Sequence, residues 1–470
     1  MHDLTWLART VTGDIITPTD DGYDTALDRW ARNAVRRARV VVYVHTPADV
    51  GAALRYAREN GLRLAIHGGG HSPSGASSVE DGLVIDLSRY LDGVRVDPEE
   101  RLAYVGGGAK WAAVNKATME HGLAMTGGTV GHTGVAGVTL GGGNGWLTPA
   151  HGLTIDHLVR ATVVSADSVA RTCSAAEHAD LFWGLRGGGC NFGVVTEFVF
   201  HLHPQEKTVF GGMVVYAPEK LEAIAQEIEQ WFPTAGPKEA VHVFPGRAMS
   251  GEAAVTLFMF YNGPESEGRE RFKAFTDLGP VSDGRDEMTY EAFNGILDEW
   301  ASPGKCNWTR GYIVDRATKA LSRTLFERIV TLGDPAAPFW VSLGFEYMSQ
   351  AAVNAVPSDA TAYTRNRPGL GNAIGLVRWD GARPELEPRA KEILEELAGL
   401  VKFPGLRYGN YSADSSASKD EVRRIRAKEL YQENYARLQQ LKRKYDPEMV
   451  FDKWYVIHPA EVEEDEPRRN

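Results

Sequence analysis

Leu62 to Ile66 reads as a strand that runs straight into His67-Gly68-Gly69-Gly70-His71-Ser72. Three successive residues without side chains let consecutive backbone N–H groups approach an anion closely, as a diphosphate requires. Glycine content alone leaves a second reading open, a tight turn that carries a structural histidine. Two further glycine loops follow, at Gly141-Gly142-Gly143-Asn144-Gly145 and at Gly187-Gly188-Gly189. His201 and His203 alternate on one strand face like a metal pair. With no third ligand in view an edge-strand surface is the better reading, and no metal is expected. Lys442 to Lys444 reads as a solvated helix face. The chain has no GxGxxG, no GxxxxGK[ST], no HExxH and no GxSxG, so a Rossmann site, a P-loop, a zincin and a nucleophile elbow have no support.

The elements around these loops alternate between strands and helices from Thr17 to about Pro204. Val40 to Val44 is a β-branched run suited to a buried strand. Thr46-Pro47 starts a helix, with Thr46 as N-cap and Pro47 at the first helical position. Val50, Leu54 and Ala57 give that helix one apolar stripe, and Asn60-Gly61 ends it. Leu83 to Leu87 is a further strand, and Val94 to Val96 with Leu102 to Val105 form a hairpin. After Pro204 the glycine triplets stop. Strands Ala254 to Tyr261, Trp340 to Tyr347 and Ala373 to Trp379 alternate with amphipathic helices such as Glu219 to Trp231, which predicts an antiparallel sheet covered by helices. A helix from Lys419 to Tyr445 follows, and the acidic tail from Glu461 is expected to fray.

At 470 residues the chain exceeds what one core usually supports, so two domains are expected. A net charge of −11 gives no basic field for phosphates and argues against a nucleic-acid partner. Cys173, Cys190 and Cys306 form no CxxC and no disulfide framework. Met1 to Asp14 lacks a basic start with an apolar run, and no stretch approaches membrane-span length, so the chain reads as cytoplasmic with no membrane partner.

Read together, four ordered motifs resemble the vanillyl-alcohol-oxidase superfamily, and within it the berberine-bridge-enzyme-like oxidases. They are His67 to Ser72; Gly127-Gly128-Thr129-Val130-Gly131-His132-Thr133-Gly134 through Gly143, with His151 to Asp156; Asp180 to Gly189, with Phe192 to Phe198; and Lys444-Tyr445-Asp446-Pro447. The resemblance covers nearly the whole chain. It implies an α+β fold in which a two-subdomain PCMH-type FAD-binding domain carries an inserted antiparallel-sheet substrate domain covered by helices. The FAD domain would comprise residues 1–206 with 402–470 returning to it, and the substrate domain 207–401. By the same resemblance His71 bonds the flavin 8α-methyl group, and Gly68, Gly69, Gly70 and Ser72 hold the diphosphate beside His67. Thr129, Val130, Thr133, Gly134, Gly137, Gly142 and Asn144 border the cofactor, and the main chain of Val195 meets the adenine. Many relatives attach flavin C6 to a cysteine where this chain has Val130, so a single covalent link through His71 is expected. Departures from the pattern are His67 in place of Arg, Asp156-His157 in place of Asp-Asn, His151 in place of Tyr, and Trp454-Tyr455-Val456-Ile457 in place of Asn-x-Asn-Ile.

The implied reaction is hydride transfer from a small alcohol, amine or sugar to flavin N5, with O2 returned as hydrogen peroxide. Substrate oxidation leaves a proton to remove. The family's Tyr-x-Asn-Tyr-like motif appears here as Tyr408-Gly409-Asn410-Tyr411, which makes Tyr411 the first choice of base, with Asn410 beside it and His151 assisting. An unperturbed tyrosine titrates at roughly 10, so a phenolate would need a nearby cation or a stabilising hydrogen bond. Tyr411 as a packing aromatic, His151 as a turn histidine, His132 as a direct participant and Glu346 as a carboxylate base are the other readings. An oxidative cyclase or dehydrogenase of secondary metabolism, and a flavin-binding protein without catalysis, remain open beside the oxidase.

Overall fold

A computed structural model describes residues 3–314, 317–365, 371–401, 408–413 and 420–461. Its first sheet has four strands in the order Ile15–Ile16, Val40–Tyr43, Leu83–Asp86, Leu64–His67. The last three run parallel, and every residue of Val40–Tyr43 is buried, as a parallel strand covered on both faces requires. The helix Pro47–Glu59 opens on a capping box: the Asp49 amide donates to the Thr46 hydroxyl at 3.2 Å while the Thr46 amide donates to the Asp49 carboxylate at 3.1 Å. Val50, Leu54 and Ala57 pack on Val42 and Ile85. The helix ends at Asn60, and Gly61 takes a left-handed φ of 63°. The following strand starts at Leu64 rather than Leu62, because the Leu62 amide is still bonded to Ala57. It delivers the chain into the His67–Ser72 loop.

A second, antiparallel sheet runs Val94–Asp97, Leu102–Gly106, Val194–His201, Leu158–Val164, Ala170–Ser174. Its core includes Trp111, Phe182, Trp183, Phe198 and Phe200, and the helix Tyr435–Tyr445 adds Leu438, Leu441 and Tyr445 to it. The expectation of a solvated face at Lys442 to Lys444 is corrected at its first residue. Lys442 is fully buried, and its ammonium donates to Asp446 at 2.6 Å and to the carbonyls of Phe451 and Asn191 at 2.7 and 2.8 Å. Only with all three acceptors is a buried ammonium tolerable. Lys444 is exposed and pairs with Asp180.

The third sheet has eight strands. Seven run in the order Ser282–Asp283, Thr208–Tyr216, Ala253–Tyr261, Glu239–Arg247, Phe339–Met348, Gly371–Trp379, Cys306–Val314, and Asp286–Thr289 pairs with the second of these. Every pairing is antiparallel. Helices Leu221–Trp231, Arg323–Leu332 and Glu387–Val401 cover one face, and the largest core cluster draws only on residues between Phe210 and Val401. In Phe339–Met348 the residues Val341, Leu343, Phe345 and Tyr347 belong to that core. The strand period of two therefore turns Trp340, Ser342, Gly344 and Glu346 to the opposite face. Across the register, Glu346 sits between His242 and Asn372. Helix and antiparallel sheet thus combine as expected for the fold class. The chain's expected return near 402 and the start of the expected helix at Lys419 lie outside the described residues, as does nearly all of the acidic tail. No helix among the described residues is long and apolar enough to cross a membrane.

Candidate functional site

The first glycine loop meets the Gly127 to Gly143 motif backbone to backbone, at Gly134. A Cβ on Gly69 would lie 2.3 Å from the Gly134 Cα, and one on Gly134 would lie 2.6 Å from the Gly69 Cα. Gly70, at φ 64°, would push a Cβ to 2.6 Å from His67 Nε2. Bare backbone is what this junction needs. It floors a cleft lined by Leu64 to Ile66, Gly69 to Ser72, Thr133, Gly134, Gly137 and Val138, with Gly189 of the third loop, Asn410, and Val450 to Trp454 apart from Asp452. The first and third glycine loops, the stretch from Thr133 to Val138, the returning segment and residues 450–454 therefore share one space. Its walls are largely apolar and its floor is bare backbone.

Other expected cofactor residues fall elsewhere. His67 turns to Asp86, with Nδ1 at 2.6 Å from the carboxylate. Thr129 and Val130 are half-buried in a loop held from the third sheet's side. There Asn294 donates to the Gly128 carbonyl at 2.9 Å, and Asp298 accepts from the Gly131 amide at 2.6 Å. Val195 lies in the second sheet's ladder opposite Val163 and does not line the cleft. Gly142 and Asn144 face the third sheet's side of the loop, against Tyr363 and Glu346.

His71 is gripped by two rings. Trp30 stacks on it at 4.4 Å between centroids and 13° between planes. His132 lies at 5.0 Å and 27°, and its Nδ1 stands 3.2 Å from His71 Nε2. Loss of solvent, with the neighbouring His132 acting in the same direction, lowers His71 to about 3, so the ring is neutral at ordinary pH. A second cavity of about 930 Å3 reaches His71 and His132 from the outer side, past Arg29, Trp30 and Lys110.

The third sheet presents its own chemistry at Glu346. Its carboxylate accepts from the Tyr411 hydroxyl at 2.6 Å and from the Asn144 side chain at 3.2 Å. Burial pushes Glu346 up to about 7, against the pull of hydrogen bonds from Tyr411, Asn144 and Asn372. The Tyr408 hydroxyl accepts from the Gly143 amide and from Asn410, both at 3.0 Å, and the Asn410 amide also donates to Val138 at 3.0 Å. Asn410 thus ties the returning segment to the second glycine loop.

This arrangement weighs against the expected roles of Tyr411 and His151. Burial, and then the Glu346 carboxylate, raise Tyr411 well above 10, and its hydroxyl faces an anion rather than the cation a phenolate base would need. His151 is not brought to Tyr411. It stacks on His203 at 4.0 Å and 6°, and His203 Nε2 lies 3.1 Å from His157 Nδ1. Burial holds His157 at about 3 and His203 at about 4. The four rings, His201 included, gather without converging, and no metal-binding group of three or more His, Cys, Asp or Glu occurs among the described residues. The link between Asn144 and Glu346 was not read from the sequence. A signal existed in the alternation of Trp340-x-Ser342-x-Gly344-x-Glu346, which puts one carboxylate on the strand face opposite the covering helices.

Residues 38–192 match the family described as FAD binding domain, and residues 408–453 match the one described as berberine and berberine like. The FAD-linked oxidoreductase pgmH of Aspergillus terreus is 31% identical over 98% of this chain and 96% of its own. Among solved structures, the 6-hydroxy-D-nicotine oxidase from Arthrobacter nicotinovorans superposes with a TM-score of 0.86 at 27% identity, covering 98% of this chain and 100% of that one. The glucooligosaccharide oxidase from Acremonium strictum, described with a 6-S-cysteinyl, 8α-N1-histidyl FAD, superposes with a TM-score of 0.80 at 22% identity, covering 97% and 99%.

Proposed function

The chain belongs to the berberine-bridge-enzyme-like FAD-linked oxidases of the vanillyl-alcohol-oxidase superfamily, and from that premise we propose that it oxidises a small alcohol, amine or sugar with Glu346 as the proton acceptor. When bound, FAD accepts the hydride and passes the electrons to dioxygen, which leaves as hydrogen peroxide. The observation that carries the reading is a buried carboxyl held near 7 by its surroundings and bonded to Tyr411 at 2.6 Å. A general base works best when it titrates near the working pH. Tyr411 and Asn144 hold the two carboxylate oxygens in place, and Asn410 joins that group to the cofactor cleft. Phe244, Trp300 and Trp340, in contact across 5.0 and 5.9 Å, lie on the same sheet face as Glu346, toward the other end of its strand. Residues 1–206 with 402–470 serve as the FAD-binding unit and 207–401 as the substrate-binding unit, a division supported by the largest core, which stays within 210–401.

The covalent link belongs to the same reading. His71 is neutral, follows three glycines and lines the cleft, and a neighbour of the same fold is described with a histidyl FAD. Val130 has no thiol, so flavin C6 stays free and the link is single. Acid-precipitated protein should keep its flavin, and His71→Ala should release it. Mass analysis of the flavin peptide should find His71 and no cysteine. Function is tested by anaerobic mixing with candidate alcohols, amines and sugars. Flavin absorbance should bleach with at least one class, and Glu346→Gln should slow that bleaching by about 10²–10⁴-fold while FAD stays bound. A variant that reduces its flavin at the wild-type rate removes Glu346 from the role.

A further inference from the structure

We propose that Lys453 supplies the countercharge for the FAD diphosphate in the cleft. The inference rests on the reading that this cleft holds FAD with its diphosphate along Gly68 to Ser72. That group brings a double negative charge into a space whose floor is bare backbone and whose walls are largely apolar. Among the described residues that line the cleft, Lys453 alone carries a formal charge at neutral pH, because burial keeps His71 neutral. Other cations around the glycine loops are engaged elsewhere. Arg29 donates to the carbonyls of Ala26, Asp28 and Ser77, and Lys110 lines the outer cavity. Asp452, next to Lys453 in the chain, is paired with Arg63 at 2.7 Å. The Lys453 ammonium itself makes no hydrogen bond or ion pair among the described residues.

The backbone fixes where that side chain starts. The Phe451 carbonyl accepts from Lys442 at 2.7 Å, the Lys453 carbonyl accepts from the Cys190 thiol at 3.5 Å, and Asn191 donates to the Tyr455 carbonyl at 3.3 Å. Residues 451–455 are thus pinned to the end of the third glycine loop. Trp454 and Tyr455 take left-handed φ values of 50° and 26°, a strained turn for residues with side chains. The turn lays the Trp454 ring against Gly189, where an added Cβ would meet it at 2.2 Å, and both Lys453 and Trp454 line the cleft. Burial draws the Lys453 ammonium below its ordinary value, against the pull of Asp452. A partly desolvated cation without a partner is costly, and a diphosphate relieves that cost through charge-assisted hydrogen bonds. The Asn-x-Asn of related sequences is Trp454-Tyr455-Val456 here. This stretch therefore meets the cleft with an ammonium and an aromatic ring, without those amides.

The test reads binding, not turnover. His71→Ala protein serves as the parent, so that binding is reversible, and equilibrium dialysis gives dissociation constants for FAD and for riboflavin, which has the same ring and no phosphate. Adding Lys453→Met should weaken FAD by about 10–10²-fold, the worth of a hydrogen bond to a charged group, and leave riboflavin unchanged. Lys453→Arg keeps the charge and should stay near the parent. Raising salt should weaken FAD binding in the parent more than in Lys453→Met. ADP as a competitor should lose the same factor as FAD in Lys453→Met, and adenosine should lose none. Damage to the fold would weaken riboflavin and adenosine as well, so the comparison within one variant separates the two causes. Should Lys453→Met fail to fold, Lys453→Gln carries the same comparison. Equal FAD affinity in parent and variant overturns the proposal. So does an equal loss for FAD and riboflavin, which would place the charge at the flavin ring. A parent that binds no FAD instead overturns the cofactor reading of the cleft.

Discussion

Glu346 makes stability and activity pull in opposite directions at a single residue. Its native value of about 7 lies above the ordinary 4.5, so the folded state holds the proton more tightly than the unfolded one. The stability this gives is fully present below about 4.5 and is lost as pH rises through about 7, at about 1.4 kcal/mol per pH unit. Glu346→Gln has no proton to lose. Its melting temperature relative to wild type should therefore climb between pH 5 and pH 8 in calorimetry, with a gap that does not change over that range counting against a buried carboxyl. Wild-type flavin reduction should rise across the same interval, because the carboxylate is the active form. Tyr411→Phe removes a hydrogen bond that favours the carboxylate, so the rising limb should move to higher pH by one to two units, the worth of a hydrogen bond to a charged group. A base located on Tyr411 would instead lose rate at every pH.

Among elements, the strand end His203–Pro204 and the short helices Thr148–His151 and Thr154–His157 bring together histidines that lie far apart in the chain. That cluster was only half legible beforehand. His201 and His203 were visible as an alternating pair, but their neighbours His151 and His157 arrive through tertiary contacts that no local period announces. Where local rules act alone, as in the capping box of Thr46 and Asp49 or the hairpin from Val94 to Gly106, sequence and structure agree to within a residue or two. Register decided the other cases. Glu346 was placed on its strand, yet facing Tyr411 and Asn144 depends on contacts 65 and 202 residues away in the chain. The histidine cluster has a consequence in acid. His157 and His203, held at about 3 and about 4, bind protons later than the unfolded chain does at about 6.5. Stability should fall as pH drops from about 6.5 toward 4, and His157→Gln should flatten that slope in urea titrations. An unchanged slope would show that the acid lability lies elsewhere.

Across the whole molecule, two of the junctions between the glycine-loop half and the large sheet bracket the site. One is the returning segment, where Tyr408, Asn410 and Tyr411 reach both halves. The other is the segment from Trp30 to Asn33. The Trp30 indole donates to the Ala301 carbonyl at 2.6 Å, the Arg32 amide donates to Lys305 at 2.9 Å, and the Asn307 amide donates to the Asn33 side chain at 2.8 Å. Trp30 also stacks on His71, so one buried side chain connects the cleft with the far end of the sheet. Its two roles separate by substitution. Trp30→Phe keeps a ring over His71 and leaves the Ala301 carbonyl without its donor, a loss of about 1–3 kcal/mol. Trp30→Ala removes the ring too and opens a cavity, for about 3–5 kcal/mol. Stability should therefore fall in the order wild type, Trp30→Phe, Trp30→Ala. Flavin retained after acid precipitation should drop sharply only in Trp30→Ala, because stacking and not the indole hydrogen bond holds the His71 ring. Equal retention in both variants would mean that His132 alone orients His71, whereas equal loss would place the control in the hydrogen bond to Ala301.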